Sequence, residues 1–107
     1  MRVREEPQRR GSVPLEIIWS PLALRRLQEI RAFTARDNPG AAERLTTRLV
    51  AVIQALTEYP LLGRPGADPE TRELIVGGTP YIILYQVKGK RILIRTVWHA
   101  AQKREGQ

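Results

Sequence analysis

The chain has 107 residues, 18 lysines and arginines against 11 acidic residues, a formal net charge of +7, one histidine and no cysteine. That length suits one domain that folds without staples, because a chain of this size buries about two-thirds of its unfolded surface. Disulfide scaffolds, thiolate metal centres, cysteine nucleophiles and multi-histidine metal sites are excluded, and the basic balance favours an acidic partner, nucleic acid or protein.

Residues 1–14 hold Arg2, Arg4, Arg9 and Arg10 beside Glu5 and Glu6, with Pro7, Gly11 and Pro14. Nothing in them builds a face to bury, so a disordered basic tail is expected. No apolar core follows the basic residues, as a secretory signal requires. Leu15 to Trp19 is a short β-prone run. Ser20-Pro21 stops it and opens a helix, with Ser20 as cap and Pro21 where its missing N–H is harmless. Leu24, Leu27, Ile30 and Phe33 or Thr34 recur at helical spacing, and Arg25, Arg26, Glu29, Arg31 and Arg36 fall largely off that stripe. Asp37-Asn38-Pro39 ends this helix and caps a second, expected from Pro39 to Glu58. Its stripe is Ala42, Leu45, Leu49, Val52, Leu56 and Tyr59, and Pro60 stops it. So short a connection between amphipathic helices implies an antiparallel helical hairpin.

Gly63 to Pro69 reads as a loop. Three strand candidates follow: 72–76, 81–87 and 91–98, separated by Gly77-Gly78-Thr79-Pro80 and by Lys88-Gly89-Lys90. The middle one is nearly continuously apolar, as a central strand covered on both faces would be. Short turns make these three an antiparallel meander. The order is β-α-α-β-β-β, an α+β domain over 15–104 with a helical hairpin packed on a small, mostly antiparallel sheet. Residues 105–107 are its C-terminal end. The expected core sets Leu24, Leu27, Ile30, Leu45, Leu49, Val52 and Leu56 against Leu74, Val76, Ile83, Tyr85 and Ile94, with Trp19, Trp98, Tyr59 and Tyr81 also core aromatics. No apolar run reaches the ~18–20 residues of a membrane span, and a cytoplasmic protein is expected.

Chemistry-bearing signatures are few. No phosphate-binding Gly-rich loop follows a strand and opens a helix. The only serines are Ser12 in the tail and Ser20 at a helix cap, which leaves no nucleophile for a Ser-His-Asp triad. His99, next to Trp98 at the end of the last strand, has the titration range for acid–base work on RNA; the plain alternative is a partly exposed strand-end histidine. Arg64, Arg72, Arg95, Lys103 and Arg104 are candidates for a phosphate- or carboxylate-binding surface at one end of the sheet. By strict alternation Arg95 shares a face with Leu93, Val97 and His99, with Glu73 or Glu58 as a structural partner. The helix arginines Arg25, Arg26, Arg31, Arg36, Arg44 and Arg48 read as a solvated face.

The ordered set Trp19-Ser20-Pro21, Gly63-Arg64-Pro65-Gly66, Arg72-Glu73-Leu74, Tyr81 to Val87 and Val97-Trp98-His99 resembles the RelE/ParE superfamily of type II toxins. The resemblance covers about residues 15–104. It implies a toxin neutralised by direct binding of a cognate antitoxin, with no cofactor, metal or small-molecule substrate. RelE-like members cut mRNA in the ribosomal A site with basic residues on the sheet; ParE-like members poison DNA gyrase and lack those residues. Aligned through Tyr81 to Val87, the two lysine positions of the RelE pattern fall at Glu73 and Ile75, and its arginine positions at Ile82 and near Ala100. None is basic. Another branch carries a histidine-tyrosine pair, but Ala100 follows His99. The resemblance therefore implies the ParE side, a non-enzymatic toxin that binds gyrase; its contact surface is expected at the sheet end and C-terminal tail, with Arg64, Arg72, Arg95, His99, Lys103 and Arg104. The alternative is a ribosome-dependent endoribonuclease acting on mRNA through Arg72, Arg95 and His99, and a third possibility is an inactive chain that only binds antitoxin.

Overall fold

The computed structural model describes residues 14–101. The tail expected over 1–14, apart from Pro14, and the segment after Ala101 with Lys103 and Arg104 lie outside the described residues. The elements are β1 (Glu16–Trp19), α1 (Pro21–Asp37), α2 (Pro39–Ala55), β2 (Arg64–Pro65), β3 (Arg72–Ile75), β4 (Tyr81–Lys88) and β5 (Arg91–His99). The five strands form one sheet in the order β1-β5-β4-β3-β2, with β1 parallel to β5 and the other pairs antiparallel. The α+β architecture and the helical hairpin are as expected. β2 is an addition, because Arg64 and Pro65 pair with Glu73 and Arg72 inside the stretch that breaker residues marked as loop.

Each helix begins where its cap chemistry dictates. Ser20 Oγ accepts from Ala23 N at 2.9 Å, and Asn38 Oδ1 accepts from Ala41 N at 3.0 Å, each with a proline directly after the cap. Asn38 also closes α1, its N–H donating to Thr34 O at 3.0 Å. α2 stops at Ala55, three residues before the expected end. There the backbone tightens, with Leu56, Thr57 and Glu58 each donating to the carbonyl three residues earlier. Leu15 N then donates to Thr57 O at 3.0 Å and joins the start of β1 to this turn.

The helices cover one sheet face. Ala23, Leu49, Ile53 and Leu56 meet Val76, Tyr81, Ile83, Tyr85, Ile92, Ile94 and Val97 in one buried cluster. One expectation about α1 fails, at Leu24, and the alternative between Phe33 and Thr34 is decided for Thr34. Leu24 is 46% exposed and Phe33 is 60% exposed, whereas Ala23 is fully buried. Leu24, Leu27, Ile30 and Phe33 step by three and drift around a helix of 3.6 residues per turn. Ala23, Leu27, Ile30 and Thr34 step by four, three and four, and that stripe faces inward. Of the further aromatics, Tyr81 and Tyr85 are buried, and Trp19, Tyr59 and Trp98 only partly so.

β5 carries a bulge. Pairing steps from Leu84–Thr96 to Tyr85–Ile94, so Arg95 is an extra residue without a partner on β4. Inward-facing positions therefore switch from Ile92 and Ile94 to Val97. Strict alternation across Arg95 does not hold, and Arg95 does not share a face with Val97.

Leu49 is fully buried in α2 at the centre of the cluster. Leu49→Ala should cost about 2–5 kcal/mol through lost burial and the cavity left behind. Urea denaturation of the two proteins checks this, and a loss below ~0.5 kcal/mol would contradict the assignment of this helix face to the core.

Candidate functional site

The sheet face away from the helices is the open face, and its chemistry follows from register. One row crosses it as Ile75, Ile82 and Trp98 on β3, β4 and β5. The next is Glu73, Leu84 and Thr96, flanked by Arg64 of β2. Gln86 and Leu93 form the third. The face is thus apolar towards one end and polar towards the other.

Its charged groups are held in pairs. Arg64 donates to Glu73 Oε1 at 3.2 Å, and Glu73 is only 6% exposed beneath it. Arg95, turned onto this face by the bulge, donates to Gln86 Oε1 at 2.8 Å. Gln86 Nε2 in turn donates to Glu70 at 3.4 Å, and Glu70 pairs with Lys88 at 3.4 Å. The partner of Arg95 is therefore Gln86, and neither Glu73 nor Glu58.

Arg72 lies on the other face. It is opposite Tyr85 in register, and its guanidinium donates to Gly63 O. Tyr85 OH accepts from Gly63 N at 2.8 Å and donates to Pro60 O at 2.7 Å. The packing leaves no room for a side chain at Gly63, where an added Cβ would lie 2.8 Å from the Tyr85 ring and 2.9 Å from Glu73 O. Arg72 and Tyr85 thus fasten the 60–63 loop, a structural role.

His99 is at the far end of the strands. It is half-buried, meets the Tyr81 ring edge-to-face at 5.3 Å between centroids, and accepts from Ala101 N through Nδ1 at 3.0 Å. Here α1 passes over the ends of β4 and β5, leaving a groove of about 410 Å³. Arg26, Ile30 and Phe33 of α1 line it with Tyr81, Trp98 and His99. Sequence reasoning singled out His99 and missed the groove, because the periodicity left Phe33 and Thr34 as alternatives for the apolar stripe. The three-residue step from Ile30 to Phe33 was the available signal that Phe33 faces out.

Arg64 and Arg95 thus share the open face, each with a partner. Arg72 faces the helices, and His99 sits at the opposite end. The described candidates do not converge on a point where a phosphate would be held. The positions that carry basic groups in the RelE pattern do come together: Glu73, Ile75 and Ile82 are neighbours on the open face. There they present a neutralised acid, an exposed aliphatic and a buried aliphatic. Among the described residues no three His, Asp or Glu side chains gather as a metal site would need.

The model of the family described as ParE toxin of type II toxin-antitoxin system, parDE, matches residues 17–104. The chain belongs to the ParE toxin family. It is similar to the Y4kP protein of Sinorhizobium fredii, at 46% identity over 81% of this chain and 90% of that protein. It is also similar to toxin RelE2 of Caulobacter vibrioides, at 37% identity over 81% of this chain and 97% of the other. A solved structure titled as the chromosomal ParDE TA system from P. aeruginosa shares the fold with a TM-score of 0.73 at 24% identity, covering 82% of this chain and 98% of that one. The chain is thus a toxin of a type II toxin–antitoxin system within the ParE/RelE superfamily. No described helix of this ParE-family toxin is long and apolar enough to cross a membrane.

Burial raises the Tyr85 hydroxyl above the ordinary tyrosine pKa of 10.0, opposed by the Gly63 N–H and the nearby Arg72 charge, and burial alone raises Tyr81. Ionisation is resisted in the folded chain and free in the unfolded one. Their contribution to stability is therefore complete below pH 10 and is lost as pH rises through the folded values. Absorbance titration at 295 nm should show Tyr81 and Tyr85 titrating above their values in denaturant, and Tyr85→Phe should remove one of these delayed steps. A folded-state titration that Tyr85→Phe leaves with the same delayed steps would contradict the buried hydrogen-bonded hydroxyl.

Proposed function

We propose that this ParE-family toxin acts by contact and not by catalysis: it binds DNA gyrase, holds the enzyme in its cleaved-DNA state, and is neutralised when a cognate antitoxin covers it. The observation that carries this reading is the state of the open face. Nucleolytic chemistry there needs cations aimed at a phosphate and a proton-transfer group, each worth ~100-fold or more. Glu73, Ile75 and Ile82 supply no cation. Arg64, Lys88 and Arg95 are engaged with Glu73, Glu70 and Gln86. His99 is at the other end of the strands, against Tyr81. Among the described residues these features count against a ribosome-dependent nuclease and favour a binding surface.

The antitoxin fits the hairpin. A groove of about 580 Å³ runs along α2, where Arg44 and Arg48 stand beside Ala51, Val52 and Ala55. Small side chains let a helix approach closely, and the arginines suit acidic residues on it. An acidic amphipathic segment of the antitoxin is the expected occupant.

The test is the response of cells to induced toxin. DNA-damage signalling and filamentation should follow, with translation continuing at first. His99→Ala should leave toxicity partly intact, because a contact surface loses only one group. Immediate translation arrest with cut mRNA, erased by His99→Ala alone, would replace this reading with the nuclease.

A further inference from the structure

The exposed aromatic on α1 is the feature the fold does not use. Phe33 is 60% exposed in the middle of a helix whose apolar stripe lies elsewhere. The Arg36 guanidinium sits 5.0 Å from its ring centroid, a cation–π contact at the surface. Across the groove stands the Tyr81–His99 pair. The only phenylalanine and the only histidine of the chain thus border one depression with Tyr81. Aromatic residues and arginine around a concave centre are the composition of a protein–protein hot spot. The space of about 410 Å³ admits a large side chain.

Charge selects the occupant. The rim carries Arg26 and Arg36 against one acid, Glu29, which Arg26 already pairs at 3.4 Å. The chain as a whole is +7. A partner that complements this rim brings carboxylates, and one that fills the centre brings a bulky apolar side chain.

We infer that the groove bounded by Phe33, Tyr81 and His99 is where the toxin grips its target, through an acidic protein segment that inserts an apolar or aromatic side chain. The inference rests on the contact-toxin reading above and narrows it: the target surface is this groove, without Arg64 and Arg72. Phe33 is the anchor and Arg36 the electrostatic guide. Neither serves the core, so both can be changed with the fold intact.

The experiment compares the whole chain with Phe33→Ala, Arg36→Glu and Arg36→Lys. Three quantities are read: the expression level that halts growth, the toxin concentration giving half-maximal cleaved DNA with purified gyrase, and capture by the cognate antitoxin. Circular dichroism confirms folding. Phe33→Ala and Arg36→Glu should raise the first two by about 10- to 30-fold, the loss expected of a hot-spot residue. Arg36→Lys should stay within about threefold of the parent, and antitoxin capture should persist in all. If the parent halts growth without acting on gyrase, the variants' loss of toxicity still supports the groove while the gyrase reading falls. Full toxicity in Phe33→Ala overturns the inference. So does loss of antitoxin capture in step with toxicity, which assigns the groove to the antitoxin. A parent that halts no growth overturns both readings.

Discussion

Ser20 joins the two layers of the fold. Its N–H donates to Ile94 O at 3.0 Å, its hydroxyl donates to Arg95 O at 2.8 Å, and the same oxygen accepts from Ala23 N at 2.9 Å. One side chain therefore caps α1 and ties the helix start to the bulge of β5. A cap of this kind is worth about 1 kcal/mol by itself. Its larger consequence is geometric. With the first turn held against the strand, position 23 faces the sheet at zero exposure, and Leu24 turns outward. The rotation of α1 follows, and with it the exposure of Phe33. The bulge in turn aims Arg95 at Gln86 on the open face and moves Val97 inward.

The open face sets the chemistry that remains. Buried or half-buried charges are stable only with partners. Glu73 at 6% exposure has Arg64 over it, and Gln86 at 7% bridges Arg95 and Glu70. These contacts satisfy Glu73 and Gln86 and commit Arg64 and Arg95, as Glu70 commits Lys88. The opposite end of the face presents the exposed Ile75 and the half-buried Trp98 around the buried Ile82; the first two can bury against a protein, and none of the three stabilises developing negative charge. Among the described residues, the pairing of Arg64, Lys88 and Arg95 within the chain leaves the open face without a phosphate-handling cluster.

Much of this was legible in the sequence. Caps at Ser20 and Asn38, the α2 stripe and the two hairpin turns follow from local chemistry, and they fix the element order. The ordered set from Trp19 to His99 pointed to the right superfamily. What escaped depends on distant pairing. β2 exists because Glu73 and Arg72 offer a partner to Arg64 and Pro65, which no local breaker signal reports. The bulge at Arg95 answers to β4 and to Ser20, so alternation along β5 alone misplaced it. Ala23 was passed over because a small residue adds little to an apolar stripe, although a helix seated closely on a strand needs one there. The candidate site was least legible. Arg64, Arg72 and His99 carry the right chemistry as residue types, but register puts them on different faces and at different ends.

The central claim is that the open face handles no phosphate. Its most direct test is primer extension on ribosome-bound mRNA incubated with the purified full-length toxin. Uncut message at toxin concentrations that arrest growth is the result this account requires. Cleavage mapped to the ribosomal A site would contradict it, and would mean that the pairs on the open face open to take hold of RNA.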